Sequence, residues 1–194
     1  MADQTRILII DENPVRAAII EEGLREAGHD NVEWLRERHN LLAQIAAIDP
    51  EVIIIDLGNA NRDVLEQMFQ VSRLVKRPVA MFVDKSDSEA THDAMVAGVS
   101  AYVVDGLKKE RVKTILDMCI SRFNVFSHLQ EELADAKTAL ADRKIIDRAK
   151  GILMARKQIG EQEAYALLRR TAMNEKRRIG DIARTIVTAE EILK

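Results

Sequence analysis

The chain has one cysteine among 194 residues, Cys119, so an intramolecular disulfide framework is excluded and a reducing compartment fits. Its neighbours, Met118 and Ile120, mark it as a small apolar residue on a helix rather than a reactive thiol. Aromatic residues are only 4% while hydrophobic residues reach 47%, so the core must be aliphatic. No apolar run approaches the ~20 residues needed to cross a bilayer, and MADQTRILIIDEN leads straight into a strand pattern without a signal region. These absences point to a cytoplasmic protein with no membrane association. Proline is missing from 109–158, and Gly151 is the only glycine there, which predicts one long helix or two in series.

The net charge of −3 conceals an asymmetry. Residues 1–142 carry 16 Lys and Arg against 25 Asp and Glu, whereas 143–194 carry 13 against 7. A basic tail behind an acidic front suggests that the tail meets a polyanion. Attraction between the two halves is the plainer alternative.

Apolar runs at 6–10, 52–55, 78–83 and 101–104 read as buried strands, and 32–35 as a weaker one. Helical patterns fall between them at 15–27, 41–48, 64–75 and 89–97. Asn13 can cap the first helix, Pro14 suits its first turn and Gly28 ends it. Strands alternating with helices predict an α/β fold, a doubly wound parallel five-stranded sheet. Sites in such sheets form beyond the carboxyl ends of the strands, so Asp11, Glu12 and Asp56 should gather there as an acidic pocket.

Phe126, Leu129, Leu133, Ala136 and Leu140 recur at alternating steps of three and four. This seam of about two heptads favours a parallel homodimer through a coiled coil. The alternative is an amphipathic helix packed on its own chain. Beyond it, three apolar helical faces predict a small helical domain: Ile145, Ile146, Ala149, Ile152 and Leu153; then Ala164, Leu167, Leu168 and Ala172; then Ile179, Ile182, Ile186 and Ile192. Gly160 separates the first two helices.

Two sets of residues resemble known families. Lys150-Gly151-Ile152-Leu153-Met154, with Glu163-Ala164-Tyr165 and Leu168-Arg169-Arg170 before Ala172-Met173, resembles the ANTAR domain. That resemblance implies a three-helix RNA-binding output module of transcription antiterminators, with paired hairpins in a leader transcript as its target. The candidate RNA-binding residues are Lys144, Arg148, Lys150, Gly151, Arg156, Lys157, Tyr165, Arg169, Arg170, Lys176, Arg177 and Arg178. Cations of this kind bind phosphates, and an aromatic ring or guanidinium can stack on loop bases. On their apolar character, Tyr165, Met154 and Met173 are expected in the core in preference to a base platform. Gly151 costs about 1 kcal/mol in a helix, which invites a close approach by RNA or by a neighbouring helix.

The front half is similar to a response-regulator receiver, a flavodoxin-like fold. The resemblance implies Asp11 and Glu12 as a metal-binding pair and Asp56 as phosphoacceptor, with Mg²⁺ as the ion of the acidic pocket. Two switch positions depart from that family: Val83 stands where Thr or Ser is usual, and Asp105 where Lys is usual. Valine cannot bond a phosphoryl oxygen. A like charge at a few Å opposes one by on the order of several kcal/mol. Lys108 is the nearby cation that could substitute. The departures favour a receiver fold kept as a protein-binding platform that needs no cofactor. They are most similar to the nitrate/nitrite assimilation regulators of the NasT type, which implies a nitrate- or nitrite-sensing partner protein.

The sequence thus divides into a pseudo-receiver domain at 1–120, a coiled-coil linker helix at 121–142 and an ANTAR domain at 143–194. The alternative function is a conventional two-component regulator switched by phosphorylation of Asp56, with DNA as target. An enzyme is disfavoured, because the acidic cluster has no His or Lys placed with it. No helix-turn-helix recognition helix is evident in the tail.

Overall fold

The computed structural model describes residues 5–37, 39–104 and 108–192. It divides into two compact units, Met1–Ser127 and His128–Lys194. The first is a parallel sheet of β1 (Ile7–Ile10), β2 (Val32–Leu35), β3 (Val52–Gly58), β4 (Val79–Val83) and β5 (Ala101–Val104), in the order β2-β1-β3-β4-β5. Its helices are α1 (Pro14–Glu26), α2 (Leu41–Ile48), α3 (Arg62–Leu74) and α4 (Ser88–Val96). The start of α5 (Val112–Lys157) completes it.

Both faces of the sheet are covered, which is why β1, β3 and β4 read as unbroken apolar runs. Leu8, Ile10, Ile53 and Ile55 pack with Leu41, Ile45, Leu65, Met68 and Phe69 on the face covered by α2, α3 and α4. Ile7, Ile9, Val52 and Ile54 pack with Ala17, Ile20, Leu24, Val112, Ile115 and Cys119 on the face covered by α1 and α5. Full burial of each such side chain is worth roughly 1.5–3 kcal/mol. Burial pushes the Cys119 thiol up to about 12, so it is inert.

Asn13 caps α1 through its Oδ1, which accepts from the Val15 and Arg16 amides at 2.9 and 3.3 Å. Ala27 and then Gly28, at φ +95°, close that helix as expected. One strand runs further than its apolar residues: β3 continues through Asp56 to Gly58, with a register shift between them. The strand order reverses between β1 and β3, so the carboxyl ends of these two strands flank the crevice.

The 46 residues of α5 form one uninterrupted helix. In the second unit its C-terminal part packs with α6 (Glu161–Glu175) and α7 (Ile179–Ile192) around Ala149, Leu153, Ala164, Leu168, Ala172, Ile182, Ala183 and Val187. Ile192 does not join this core and is 78% exposed. Gly160 lies between α5 and α6, as expected. Gln158 turns the chain, in the left-handed region at φ +53°, while Gly160 sits extended as the N-cap of α6. Lys176 ends α6 in the same left-handed way. The side chain of Asp142 reaches the start of α7, where a Cβ on Gly180 would stand 2.6 Å from its Oδ1. Arg184 bonds the same carboxylate at 2.7 Å.

Candidate nucleic-acid interface and acidic pocket

The crevice between β1 and β3 brings Asp11 and Asp56 together, both almost fully buried. The cation between them is Arg16, from the first turn of α1. Its Nη2 donates to Asp11 Oδ1 at 2.8 Å and its Nε to Asp11 Oδ2 at 3.2 Å. The same Nε lies 3.5 Å from Asp56 Oδ1. Asp11 Oδ1 also accepts from the Asn13 amide at 2.8 Å. Asp56 Oδ1 accepts from the Gly58 amide at 2.9 Å, and Asp56 Oδ2 is buried without a hydrogen-bond partner among the described residues. Burial raises the pKa of Asp56, against the lowering influence of the Gly58 amide and Arg16. The hydrogen bond to Asp11 raises that of Arg16 further.

Glu12 differs from Asp11 and Asp56 in its exposure. It is exposed and lines a shallow depression with Arg36, Glu37 and His39. Among the described residues no group of three carboxylates, histidines or cysteines is gathered to hold a metal. Mg²⁺ demands several oxygens in near-octahedral array. Here both oxygens of Asp11 already bond to a guanidinium, and Asp56 offers only a covered Oδ2. The residues in this arrangement do not fit the ion. Val83 is buried at the end of β4, facing Gly58 and Val104 across the sheet, and offers no hydrogen bond. Asp105 lies outside the described residues. Lys108 is exposed, and the cation acting on Asp56 is Arg16. No sequence motif singles out Arg16, whose role depends on the β1–β3 crevice.

Along α5, Phe126, Leu129, Leu133 and Leu140 each expose more than half of their surface, and Ala136 is exposed with them.

The candidate cations of the second unit fall into two groups. Four are held by acids. Lys150 is tied to both Asp147 and Glu161 at 2.7 Å, which raises its pKa. Arg148 pairs with Glu191 at 2.8 Å, Arg156 with Glu190 at 2.7 Å and Arg177 with Glu175 at 3.2 Å. Lys150 and Arg156 thereby brace α5 against α6 and α7. The second group is Lys144, Lys157, Arg169, Arg170, Lys176 and Arg178, all exposed and without an acidic partner among the described residues. Four of these six occupy the C-terminal half of α6 and its junction with α7.

Tyr165, Met154 and Met173 are not core residues, contrary to the expectation from their apolar character. They are 45%, 38% and 70% exposed. Tyr165, Arg169 and Met173 follow one another at four-residue steps and form an exposed stripe on α6. Gly151 is also exposed, and a Cβ there would meet nothing within 4 Å. A neighbouring helix of this chain is therefore not the reason for that glycine.

Residues 7–117 match the response regulator receiver domain, and residues 134–187 match the ANTAR domain. The transcriptional regulatory protein PdtaR of Mycobacterium tuberculosis is 23% identical over 182 residues, covering 94% of this chain and 89% of its own. The nitrate regulatory protein of Klebsiella oxytoca is 25% identical over 191 residues, covering 98% of this chain but 42% of its own length. Two solved structures share the receiver fold. A response regulator from Thermotoga maritima has a TM-score of 0.53 at 14% identity, over 61% of this chain and 99% of that one. The chemotaxis response regulator CheY4 of Vibrio cholerae has 0.51 at 18%, over 60% and 99%. A parallel sheet in the order β2-β1-β3-β4-β5, an aspartate at the end of β3 and a helical module beyond α5 are thus the parts of a response regulator, and the chain belongs to that family, with a receiver domain followed by an ANTAR domain.

Proposed function

We propose that the protein is a transcription antitermination regulator whose ANTAR domain binds hairpin RNA in nascent leader transcripts. The observation that carries this reading is the set of unpaired cations on α6 and its junction with α7, beside the exposed Tyr165. Arg169, Arg170, Lys176 and Arg178 supply phosphate contacts, and Lys144 and Lys157 extend them along α5. Tyr165 and Arg169 offer flat faces on which unpaired loop bases stack.

Two copies act together through the seam on α5. Reading Phe126, Leu133 and Leu140 as a positions places Glu132 at g and Lys137 at e. In a parallel, in-register pair, Glu132 of one helix lies opposite Lys137 of the other, twice by symmetry. Two adjacent hairpins would then bind two ANTAR domains with a gain in effective concentration.

The receiver serves as a platform for a regulatory partner and is not switched by phosphate. Val83 without a donor and the blocked Asp11–Asp56 pocket support this. The kinship with a protein named nitrate regulatory protein supports a nitrate- or nitrite-sensing partner. Filter binding of hairpin RNA against duplex DNA of equal length tests the output. Preference for the hairpin is expected, and preference for the duplex overturns the reading. Capture of bound protein from cells grown with and without nitrate tests the partner, which should be bound under only one of the two conditions.

A further inference from the structure

We propose that Arg16 is the resident cation of the acidic pocket, standing where a divalent ion would have to bind and closing Asp56 to phosphoryl donors. This deepens the phosphate-independent part of the function above. It is tested without RNA, so its failure leaves the RNA reading standing.

Two independent observations carry it. The first is the bonding of the guanidinium. It meets both oxygens of Asp11, at 2.8 and 3.2 Å, and reaches Asp56 Oδ1 at 3.5 Å. Charge-assisted, two-pronged bonds of this kind are the strong ones, and a guanidinium keeps its charge at any physiological pH. The second is the cradle that receives it. Gly58 lies at φ +52° in the irregular end of β3, and a Cβ there would stand 2.3 Å from Arg16 Nη1. The guanidinium therefore sits directly over a residue without a side chain, in a backbone conformation that glycine adopts without strain.

The chemical consequence lies at Asp56. A phosphoryl donor must approach one carboxylate oxygen in line, with a cation neutralising its charge. Oδ1 is occupied by the Gly58 amide and faces Arg16, while Oδ2 is covered. An ion could enter only by displacing a cation that the chain itself supplies at high effective concentration.

Calorimetric titration with Mg²⁺ and thermal melting with and without Mg²⁺, on the full chain and on Arg16→Gln and Arg16→Lys, test the assignment. The wild type should give no saturable heat at millimolar Mg²⁺ and an unchanged melting temperature. Arg16→Gln leaves two buried aspartates facing each other, so it should melt lower without Mg²⁺ and recover with it. Arg16→Lys keeps the charge and should stay insensitive. Saturable binding to the wild type as tight as to Arg16→Gln overturns the proposal. So does an Arg16→Gln protein that folds cooperatively and ignores Mg²⁺. If Arg16→Gln does not fold in buffer alone, refolding on addition of Mg²⁺ supports the proposal, and failure to refold overturns it.

Discussion

In the first unit Arg16 bridges Asp11 and Asp56 inside a crevice, whereas in the second Arg169, Arg170, Lys176 and Arg178 are exposed with no acidic partner among the described residues. The same residue type has opposite work in the two places. A guanidinium held between buried carboxylates has its charge compensated within the fold. One left bare at a helix end retains its full attraction for an outside anion, screened only by salt. Within the second unit the contrast repeats, since Lys150, Arg148 and Arg156 pair with acids of other helices while their neighbours have no acidic partner among the described residues. Charge count alone therefore overstates the recognition surface.

The largest effect that would break this contrast is on RNA. Replacing Arg169, Arg170 and Arg178 together by alanine should lower hairpin affinity on the order of 100-fold at moderate salt. It should also flatten the salt dependence by about three phosphate contacts and leave the melting temperature unchanged. Equal affinity in filter binding would mean that the bare cations are mere solubility. Next is the seam: Leu133→Asp should convert the dimer to monomer in sedimentation velocity. Binding to a two-hairpin RNA should fall by roughly tenfold to 100-fold, with single-hairpin binding little changed.

Lys150→Ala should behave as a stability change. The melting temperature should drop, and the loss of RNA binding should disappear on cooling to where the domain is folded. A smaller, oppositely signed result is expected for Gly151→Ala, which should stabilise the helix by about 1 kcal/mol. If RNA approaches the backbone there, affinity should fall even as stability rises, and the two can be read from one preparation.

The smallest effect concerns the closed pocket. Burial raises the pKa of Asp56, so the charged carboxylate costs stability at neutral pH, and that cost is relieved as pH falls through the folded value toward the ordinary aspartate range. Asp56→Asn should therefore melt slightly higher than wild type at neutral pH, the gap closing in acid, with RNA binding unaltered. A large loss of RNA binding in this variant would restore phosphorylation as the switch.

What could be read from the residues, and what could not, follows the range of the forces involved. Ile7–Ile10 and Ile53–Ile55 announce buried strands because every side chain there is apolar and branched or long, a purely local property. Asn13 and Gly28 announce the ends of α1 for the same reason. Asp11 and Asp56 could be placed together from the topology of parallel sheets, since the chain order fixes which strand ends meet. Arg16 could not, because its partners lie 5 and 40 residues away and the space it fills is opened by an irregularity at Gly58. Lys150 reads as an RNA contact because Glu161 comes to it only where α5 gives way to α6, although Asp147 already stands one turn before it on the same helix. Tyr165 and Met173 look like core on hydropathy, but a three-helix unit this small buries one face of each helix and no more. Gly160 lies between α5 and α6 as its residue type suggests, but the left-handed residue that closes α5 is Gln158, which its side chain does not announce.

Trp34 is the sole tryptophan, 42% exposed on the edge strand β2, and its indole N–H donates to the Asp11 carbonyl at 2.8 Å. One emitter, hydrogen-bonded to the lip of the crevice and half open to water, makes the unmodified protein its own optical probe. A ligand or protein that settles over β2 and α1 will change the colour and yield of that light, while events confined to the ANTAR helices, which contain no indole, will leave it dark to them.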